Sequence, residues 1–566
     1  MDIAQRRRQR FELRRRRIVR PRLLALLLVT VLAGCTSGDG GGIDVSAAPR
    51  PEGDRAYGDT LIRALAANVS GLIPNITGDK YSHDAVSLIY NGLISHDKDT
   101  NIIPDLAESW NLAPDCKEVS FKLRKNAKWH DGKPFTADDV VFTYQLMTHP
   151  KTPSPYKDDF EDVASVEAID PYNVRVKYKA PFANAVYIWG QSILPKHLLE
   201  KYMQEGKLKE APQNSTGPVG TGPYKFQEIR SGEKFVVVAN PDYYAGRPYL
   251  SRIVYRIIPS QATIFLELKA KGIDQADLTA LQYQRQTDYA AFKSSYNKFR
   301  YAANVYTYLG LNHKDPRFAD KRVRQAFAHA INKRDLLEGV RLGMGREATG
   351  PYKPGTWVYN PNVRTYPYDP ARARKLLAEA GWTTKNGDGL LVKDGQPFTF
   401  DLLISQGSDE GRKTAEVIQA QLREIGIGAE LRVLEWAALL KEHIKKRTFA
   451  AAVLAWGVGL DPDQYNIWHS SQVGPDEFNF VSYKNAEVDA LLERGRRSCL
   501  QTERKKVYDR LQEILAEDEP LVFLFFRDTL PVVASRVRGI VSGAIGIDYN
   551  MDEWYVPKRL QLYMSE

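Results

Sequence analysis

The stretch KWHDGKPFTADDVVF, residues 128–142, places one histidine and three aspartates within ten residues. Such a cluster could hold a metal ion, but metal ligands need a tight, regular spacing on one element. Asp131–Gly132 instead has the composition of a tight hairpin turn, and Thr136 with Asp139 three residues later has that of a capping box. The apolar residues that follow share one helical face: Val140, Phe142 and Leu146. The stretch therefore predicts a strand end, a turn and a capped helix, and not a metal site.

The chain as a whole alternates short strand-like runs with amphipathic helices. Residues 368–382 give the clearest helix, because Asp369 can cap it, Pro370 suits its first position and Gly381 can end it. Of the 566 residues, 43% are hydrophobic and 11% aromatic, which is ample for more than one packed core. The pattern predicts an α/β protein with several domains.

The N-terminal segment has the pattern of a secretory signal peptide, residues 1–34. An arginine-rich stretch precedes an apolar run, residues 23–33, whose 11 residues fall short of the roughly 20 that span a membrane. The run ends in LAGC, residues 32–35, which resembles the bacterial lipobox and implies cleavage before Cys35 with a lipid attached to that cysteine. Residues 35–56 are rich in Gly, Ser and Pro and predict a flexible tether. We expect the mature protein in the cell envelope, lipid-anchored to the membrane and facing the periplasm or the cell exterior.

The charge of the chain argues against a nucleic-acid partner. Residues 1–34 hold 10 arginines and 2 acids, which account for +8 of the net charge of +10 and leave only +2 for the rest. Binding to phosphates needs a surplus of basic charge that is retained in the folded domain. The arginines are better explained by export.

Two cysteines remain beyond the predicted lipid attachment site. Cys116 and Cys499 are nearly 400 residues apart in a chain bound for an oxidising compartment. They could pair, but the sequence does not show whether they are close in space. The chain has no CxxC motif, which disfavours a redox or zinc-ribbon site.

Motifs for catalysis or metal binding are incomplete. GPVGTGPYK, residues 217–225, looks like a phosphate loop, but Lys225 does not directly follow the second glycine and two prolines remove backbone N–H donors. Residues 384–395 carry part of a calcium-loop pattern without its final acid. GxSxG, HExxH and GxGxxG after a strand are absent from the sequence. We expect no catalytic residue, no metal and no cofactor, with a secreted hydrolase as the distant alternative.

Several long segments resemble family 5 of the extracellular solute-binding proteins, the dipeptide- and oligopeptide-binding receptors of ABC importers. The most characteristic is residues 106–147, which contains the WHDG motif. The others follow in the order that the family has them: VGTGPYKF (219–226), NPDYYAGRPYL (240–250), DKRVRQAFAHAIN (320–332), YDPARARKLLAEAGW (368–382) and FVSYKNAEVDALLERGR (480–496). The resemblance extends from residue 57 to the C-terminus.

The resemblance implies an α/β, two-lobed periplasmic-binding-protein-like fold of the large class II type, with crossover strands joining the lobes around a central cleft. Lobe I would comprise residues 57–304, including an inserted subdomain at about 95–210, and lobe II residues 305–525. Residues 526–566 would return to lobe I. The WHDG and GTGPY motifs would be mostly architectural.

The implied function is that of a receptor without catalytic activity. It would capture peptides, and by our interpretation oligopeptides, in a cleft that closes by hinge motion, and deliver them to the membrane permease subunits of an ABC transporter. A nickel chelate, a sugar or another small solute is the alternative ligand within the family. We expect a monomer.

The expected ligand site comes from two segments. In LAWGVGLDPDQYNIWHS, residues 454–470, Gly459 stands where dipeptide and oligopeptide receptors of the family carry an Asp for the peptide ammonium. Asp461 is the nearest acid, although it also matches the family's structural Asp-Pro. The loop at residues 67–74 resembles the family's cleft-lining loop. The candidate ligand-binding residues are Val69, Ser70, Gly71, Trp456, Gly457, Gly459, Asp461, Tyr465 and Trp468.

Two questions about this site remain open in the sequence. The three aromatic residues could supply stacking surface for a ligand, or some of them could belong to the core of lobe II. Asp461 could pair with a ligand ammonium or only form a turn. Without a fixed anion at position 459, we expect weak dependence on a free peptide N-terminus.

Overall fold

Two large β-sheets organise the chain. The structure is a computed structural model that describes residues 54–563, so the predicted signal peptide, Cys35 and nearly all of the predicted tether lie outside the described residues. Sheet I has seven strands in the spatial order Tyr296–Lys298, Pro531–Ala534, Gln275–Asp277, Thr60–Leu65, Arg252–Ile257, Lys234–Ala239 and Tyr224–Arg230. Sheet II has six strands in the order Gly345–Glu347, Leu521–Thr529, Tyr301–Leu311, Ala451–Gly457, Thr399–Ser405 and Gly428–Leu434.

The chain passes between the two sheets twice. Strand Tyr296–Lys298 of sheet I is followed by Tyr301–Leu311 of sheet II, and Leu521–Thr529 of sheet II is followed by Pro531–Ala534 of sheet I. We call the half around sheet I lobe I and the half around sheet II lobe II. Both lobe boundaries expected from the sequence fall inside the two sheet II strands. The predicted α/β fold with two lobes and crossover strands is confirmed.

Helices cover both sheets and bury an apolar core in each lobe. The α-helices of lobe I are Lys80–Val86, Ala137–Thr148, Lys196–Glu205, Gln261–Lys269 and Ala290–Ser295. Those of lobe II are Pro316–Ala319, Lys321–Ala330, Lys333–Asp335, Pro370–Glu379, Asp409–Glu424, Trp436–Ala438, Tyr465–Trp468, Ala486–Arg496 and Gln501–Asp518. Within residues 54–563, none of the helices has both the length and the apolar character needed to cross a bilayer.

The helix predicted around residue 370 is confirmed. Pro370–Glu379 begins with proline, and the Asp369 carboxylate accepts the N–H of Arg372 at 2.8 Å. Gly381 follows the helix at a φ of +92°, a left-handed conformation that suits glycine. These are local interactions, which is why the sequence specified them.

Three smaller sheets complete the strands. A four-stranded antiparallel sheet in lobe I has the order Ala107–Leu112, Glu118–Leu123, Asn173–Tyr178 and Val163–Asp170. Its alternate side chains are buried in the core of lobe I: Val119, Phe121, Val174 and Val176. A two-stranded sheet pairs Ile94–His96 with Ile102–Pro104, and lobe II adds Thr384–Lys385, Leu391–Lys393 and Gln396–Pro397.

The WHDG stretch forms the turn and capped helix that its residues predict. Gly132 has a φ of +91° in the turn. Helix Ala137–Thr148 begins with a capping box, in which the Asp139 carboxylate accepts the N–H of Thr136 at 3.1 Å. The same carboxylate accepts the indole N–H of Trp129 at 3.2 Å. Asp139 therefore caps the helix and joins it to Trp129.

The GTGPY motif fits closely against the backbone of residues 88 and 89. A Cβ atom at Gly220 would lie 1.9 Å from the Ile89 carbonyl oxygen, and one at Gly222 would lie 2.4 Å from that of Leu88. His130 of the WHDG motif contacts the Gly222 carbonyl through Nε2 at 3.0 Å. The two motifs thus form one packed unit, and the glycines are required by close backbone approach.

Cys116 and Cys499 form a disulfide, with their Cα atoms 6.6 Å apart. Cys116 lies just before strand Glu118–Leu123 of lobe I, and Cys499 lies just before helix Gln501–Asp518 of lobe II. The bond therefore joins the two lobes at a place separate from the crossover strands. This answers a question that the sequence left open.

We predict that Gly220→Ala lowers the free energy of unfolding by about 2–3 kcal/mol, because the added methyl group must displace backbone. Gly217→Ala is the matched control, since its Cβ would meet no atom closer than 4.0 Å. Urea unfolding followed by circular dichroism measures both. Equal stability of the two variants would contradict the packing explanation.

Candidate ligand-binding cleft

A cavity of about 1310 Å³ lies between the two lobes. This volume exceeds the roughly 300–1,000 Å³ of most small-molecule pockets. Lobe I contributes residues around 74–80, 156–159 and 184–192, and lobe II contributes residues around 436–446 and 454–467. The cleft expected between the lobes is therefore large enough for a ligand of several residues.

Three aromatic residues of lobe II, Trp456, Phe478 and Phe480, line one side of the cavity, and we call them the aromatic wall. Trp456 is partly exposed at the end of strand Ala451–Gly457, where it stacks on Phe480 with ring centroids 5.3 Å apart and an interplanar angle of 17°. Phe478 meets the edge of Trp456 at 5.3 Å and reaches Tyr156 of lobe I at 5.5 Å. Trp456 therefore lies where a ligand can stack on it, at the position that the sequence suggested.

The loop at residues 67–74 contributes less than expected. Ser70 lines the cavity, where its hydroxyl donates to Asp79. Val69 packs against the core of lobe I, and Gly71 is buried where a Cβ atom would lie 2.8 Å from Asn214 Oδ1. Neither Val69 nor Gly71 is among the lining residues, so they shape the loop and Ser70 alone of the three faces the cleft.

Tyr465 and Trp468 have different surroundings although they share one short helix. Tyr465 lines the cavity, and the Arg496 guanidinium lies 4.0 Å from its ring centroid. Trp468 is 0% exposed, and its indole N–H donates to Gln464 Oε1 at 2.6 Å. Its burial corrects the expectation that Trp468 contacts a ligand, because the ring is enclosed by the core of lobe II. The sequence could not distinguish the two positions, since both are aromatic residues near the cleft loop.

The Asp461 carboxylate is already paired within lobe II. Arg504 donates two hydrogen bonds to it, at 2.7 and 2.6 Å, and the backbone N–H of Asp463 donates a third at 2.9 Å. Burial opposes the charge of Arg504, but its hydrogen bond and ion pair with Asp461 raise the arginine pKa overall. Both side chains are largely buried. This bidentate pairing supports the structural role of Asp461 and leaves it little capacity for a ligand cation.

Gly457 is the last residue of strand Ala451–Gly457 and Gly459 lies in the loop that follows, and both are exposed. A Cβ atom at Gly459 would lie 2.9 Å from the Tyr187 hydroxyl of lobe I, whereas one at Gly457 would meet no atom within 4 Å. The Tyr187 hydroxyl also accepts the N–H of Leu460 at 3.0 Å. Gly459 therefore permits a close contact between the lobes, which the sequence alone did not reveal.

A polar junction closes the lobes beside the cavity. We define it as Asp158, Asp159 and Asn184 of lobe I with Asp463, Asn466 and Arg496 of lobe II. Arg496 donates to Asp463 at 2.7 Å and to the Asp158 carbonyl at 3.0 Å. Asn184 donates to Asp463 at 3.1 Å, and Asn466 donates to Asp159 at 2.9 Å. Sequence reasoning missed this junction because its members are more than 270 residues apart across the lobes.

Burial at the junction changes the acidity of Asp159. Loss of solvent raises the pKa of its carboxyl to about 6, although Arg496 opposes the shift, and Asp463 adds to it. For Arg496, burial opposes the charge, but Asp463 and Asp159 more than compensate and raise its pKa. The junction therefore contains an acid that gains a proton near pH 6, next to an arginine that stays charged.

A group of four lysines lines another part of the cavity: Lys209 of lobe I with Lys441, Lys445 and Lys446 of lobe II. We call it the lysine group. The ammonium groups of Lys209 and Lys445 approach the same oxygen of Asp476, each at 3.5 Å. Lys441 and Lys446 both form ion pairs with Glu442. The four lysines therefore face two acids, Asp476 and Glu442, and the region keeps a net positive charge. The basic run at residues 441–447 was visible in the sequence, but a solvated helix face was its simplest explanation.

We predict that Asp159 makes stability depend on pH between about 4 and 6. The folded pKa, about 6, exceeds the ordinary value of 3.8, so the folded state binds the proton more tightly and loses stability as pH rises through this window. Relative to Asp159→Asn, the wild type should lose about 2 kcal/mol from pH 4 to pH 6 and less than about 0.5 kcal/mol more above pH 6.

Urea unfolding at pH 4, 5, 6 and 7 measures this difference. Glu430→Gln, a change at an exposed acid on strand Gly428–Leu434, is the control and should run parallel to the wild type. If Asp159→Asn also runs parallel to the wild type, the pKa of Asp159 is not raised.

Comparison of the sequence and the structure with known proteins identifies the family of the chain. The family model for bacterial extracellular solute-binding proteins, family 5, matches residues 101–477. The oligopeptide-binding protein AppA of Bacillus subtilis is 32% identical over 555 residues, which cover 96% of this chain and 100% of that protein. Heme-binding protein A of Haemophilus influenzae is 30% identical and covers 88% of this chain and 92% of its own length.

Solved structures agree with this assignment. AppA of Bacillus subtilis in complex with a nonapeptide has a TM-score of 0.85 at 32% identity, covering 89% of this chain and 100% of that one. NikZ of Campylobacter jejuni in complex with Ni(L-His) has a TM-score of 0.80 at 29% identity, covering 88% and 99%. With two lobes, two crossovers and a large cleft between them, this chain belongs to family 5 of the bacterial extracellular solute-binding proteins.

Proposed function

We propose that the protein captures oligopeptides in the cleft between its lobes and delivers them to the permease subunits of an ABC importer. Family 5 consists of solute-binding proteins that act outside the cytoplasm with ABC transporters, so the chain is a receptor and not an enzyme. The relatives named above bind different ligands, namely oligopeptides, heme and Ni(L-His). The choice among ligands therefore rests on the cleft itself.

The observation that carries the peptide proposal is a set of buried, unpaired amide groups on residues that line the cavity. Within residues 54–563, Asn184 Oδ1, Gln464 Nε2 and Asn466 Oδ1 have no hydrogen-bond partner in the protein, and all three residues line the cavity. Buried polar atoms require partners. One donor and two acceptors suit the alternating N–H and C=O groups of an extended peptide.

The charges of the cleft favour recognition of one peptide end. Asp461 is neutralised by Arg504, and Gly459 has no side chain, so the loop offers no free anion for the peptide ammonium. The lysine group supplies positive charge for a carboxylate. We infer that peptides bind with the carboxylate towards the lysine group and with little dependence on a free N-terminus.

We predict the effect of capping each end of a neutral nonapeptide of alternating valine and serine. N-acetylation should change the dissociation constant by less than about threefold, whereas C-terminal amidation should weaken binding about tenfold, or ~1.4 kcal/mol. Lys445→Ala should weaken binding of the free peptide and have little effect on the amidated one. Isothermal titration calorimetry measures each pair.

The matched control is Lys375→Ala, which removes an exposed lysine on helix Pro370–Glu379. If acetylation abolishes binding and Asp461→Asn reproduces that loss, Asp461 is the ammonium anchor and the orientation is wrong.

A metal chelate is the second candidate ligand, and His96 is the observation that favours it. His96 lines the cavity, and its Nε2 atom has no protein partner among the described residues. Burial lowers the pKa of His96, which leaves the imidazole neutral and able to donate a lone pair to a metal. Tight binding of nickel–histidine in the same calorimeter, lost in His96→Ala, would rank this ligand above peptides.

We further propose that Cys35 carries a lipid that anchors a monomeric receptor to the membrane. The support is the LAGC sequence at the end of the short apolar run. Cys35→Ala should move most of the protein from the membrane fraction to the soluble fraction, as measured by immunoblotting after fractionation. Cys116→Ser is the control for loss of a cysteine elsewhere, and unchanged fractionation of Cys35→Ala would exclude the anchor.

A further inference from the structure

The disulfide lies within a compact set of contacts between the lobes. Its neighbours include an ion pair between Arg497 of lobe II and Asp162 of lobe I. The backbone N–H of Ala183 in lobe I donates to the Arg496 carbonyl in lobe II at 2.8 Å. We call this set, together with the Cys116–Cys499 bond, the clasp.

The clasp borders the polar junction of the cleft. Arg496 belongs to both, since its carbonyl accepts the Ala183 N–H while its guanidinium donates to Asp463. Asn184, next to Ala183, lines the cavity. A restraint at the clasp therefore acts directly beside the residues that we expect to hold the ligand.

A disulfide limits how far the lobes can part at this place. The Cα atoms of Cys116 and Cys499 are 6.6 Å apart, and disulfides do not bridge Cα separations beyond about 7 Å. A two-lobed receptor that is joined only by crossover strands can bend and twist freely about that hinge. With the disulfide in place, the lobes are connected at two separate places, the crossover strands and the clasp. The main motion that remains is rotation of one lobe about the line that joins these two places.

We propose that the Cys116–Cys499 disulfide is a second hinge point that restricts lobe opening and slows exchange of ligand from the cleft. The bond excludes widely opened conformations and is compatible with the closed one. The fraction of closed molecules therefore increases. A larger binding-competent fraction lowers the apparent dissociation constant. This inference rests on the cleft being the ligand site.

The test compares the wild type with Cys116→Ser/Cys499→Ser. Small-angle X-ray scattering of the ligand-free proteins should give a larger radius of gyration for the double variant. Stopped-flow dissociation of the valine–serine nonapeptide should be about tenfold faster in that variant. Arg497→Gln, which removes the ion pair and keeps the disulfide, is the control and should change dissociation less than threefold.

Reduction of the wild type gives a second route if the double variant does not fold. Tris(2-carboxyethyl)phosphine supplies two electrons, the two sulfurs take up two protons to become thiols, and the phosphine becomes its oxide with oxygen from water. The exposure of Cys499 gives the reductant access. The reduced wild type should match the expected behaviour of the double variant in both measurements.

Three results would overturn the proposal. They are two free thiols in the protein isolated from the cell envelope, an unchanged radius of gyration after reduction, or an unchanged dissociation rate in both the reduced and the substituted protein. If the radius of gyration increases but no form binds the peptide, the second hinge point stands as a restraint and the proposed peptide ligand fails. The two hypotheses are thus tested separately.

Discussion

The contacts of the buried Arg496 guanidinium with both lobes are the interaction on which the closed form of this receptor depends. Its side chain is 3% exposed, and it contacts acids or carbonyls of both lobes as well as the ring of Tyr465. A buried charge is tolerated only when it is paired and hydrogen-bonded. Opening the lobes removes the lobe I partners Asp158 and Asp159 and leaves Arg496 paired with Asp463 of its own lobe, so closure completes the pairing of Arg496.

Closure also determines which chemistry remains available for a ligand. The acids of the cleft loop and of the junction are largely engaged with arginines and amides of the protein. What remains on the cavity lining is an aromatic wall and an excess of lysine, together with residues whose buried amide atoms are unpaired. Such a surface favours extended ligands with backbone hydrogen-bonding groups, and it tolerates varied side chains because few of its contacts depend on them.

The disulfide gives the fold a feature beyond the hinge of two crossover strands. The sheet II strands next to the crossovers pair with each other along their length, so the hinge is anchored firmly in lobe II. The clasp lies elsewhere on the interface between the lobes. By our proposal, a receptor with both connections opens less widely, and its cleft is largely preformed. Less conformational entropy of the lobes is then lost when a ligand binds.

The sequence by itself determined the local structure and the architecture. The capping box at Thr136 and the proline-initiated helix at Pro370 depend on residues near in the chain, and the two-lobed architecture followed from motifs in a fixed order. Only the tertiary structure decided the partners of Asp461 and Cys116, and the burial of Trp468. Those outcomes depend on residues 43 and 383 positions away and on how the core encloses a ring. Local patterns specify helices and turns because their interactions span a few residues, whereas a charge pair between distant segments exists only once the chain has folded and brought its members together.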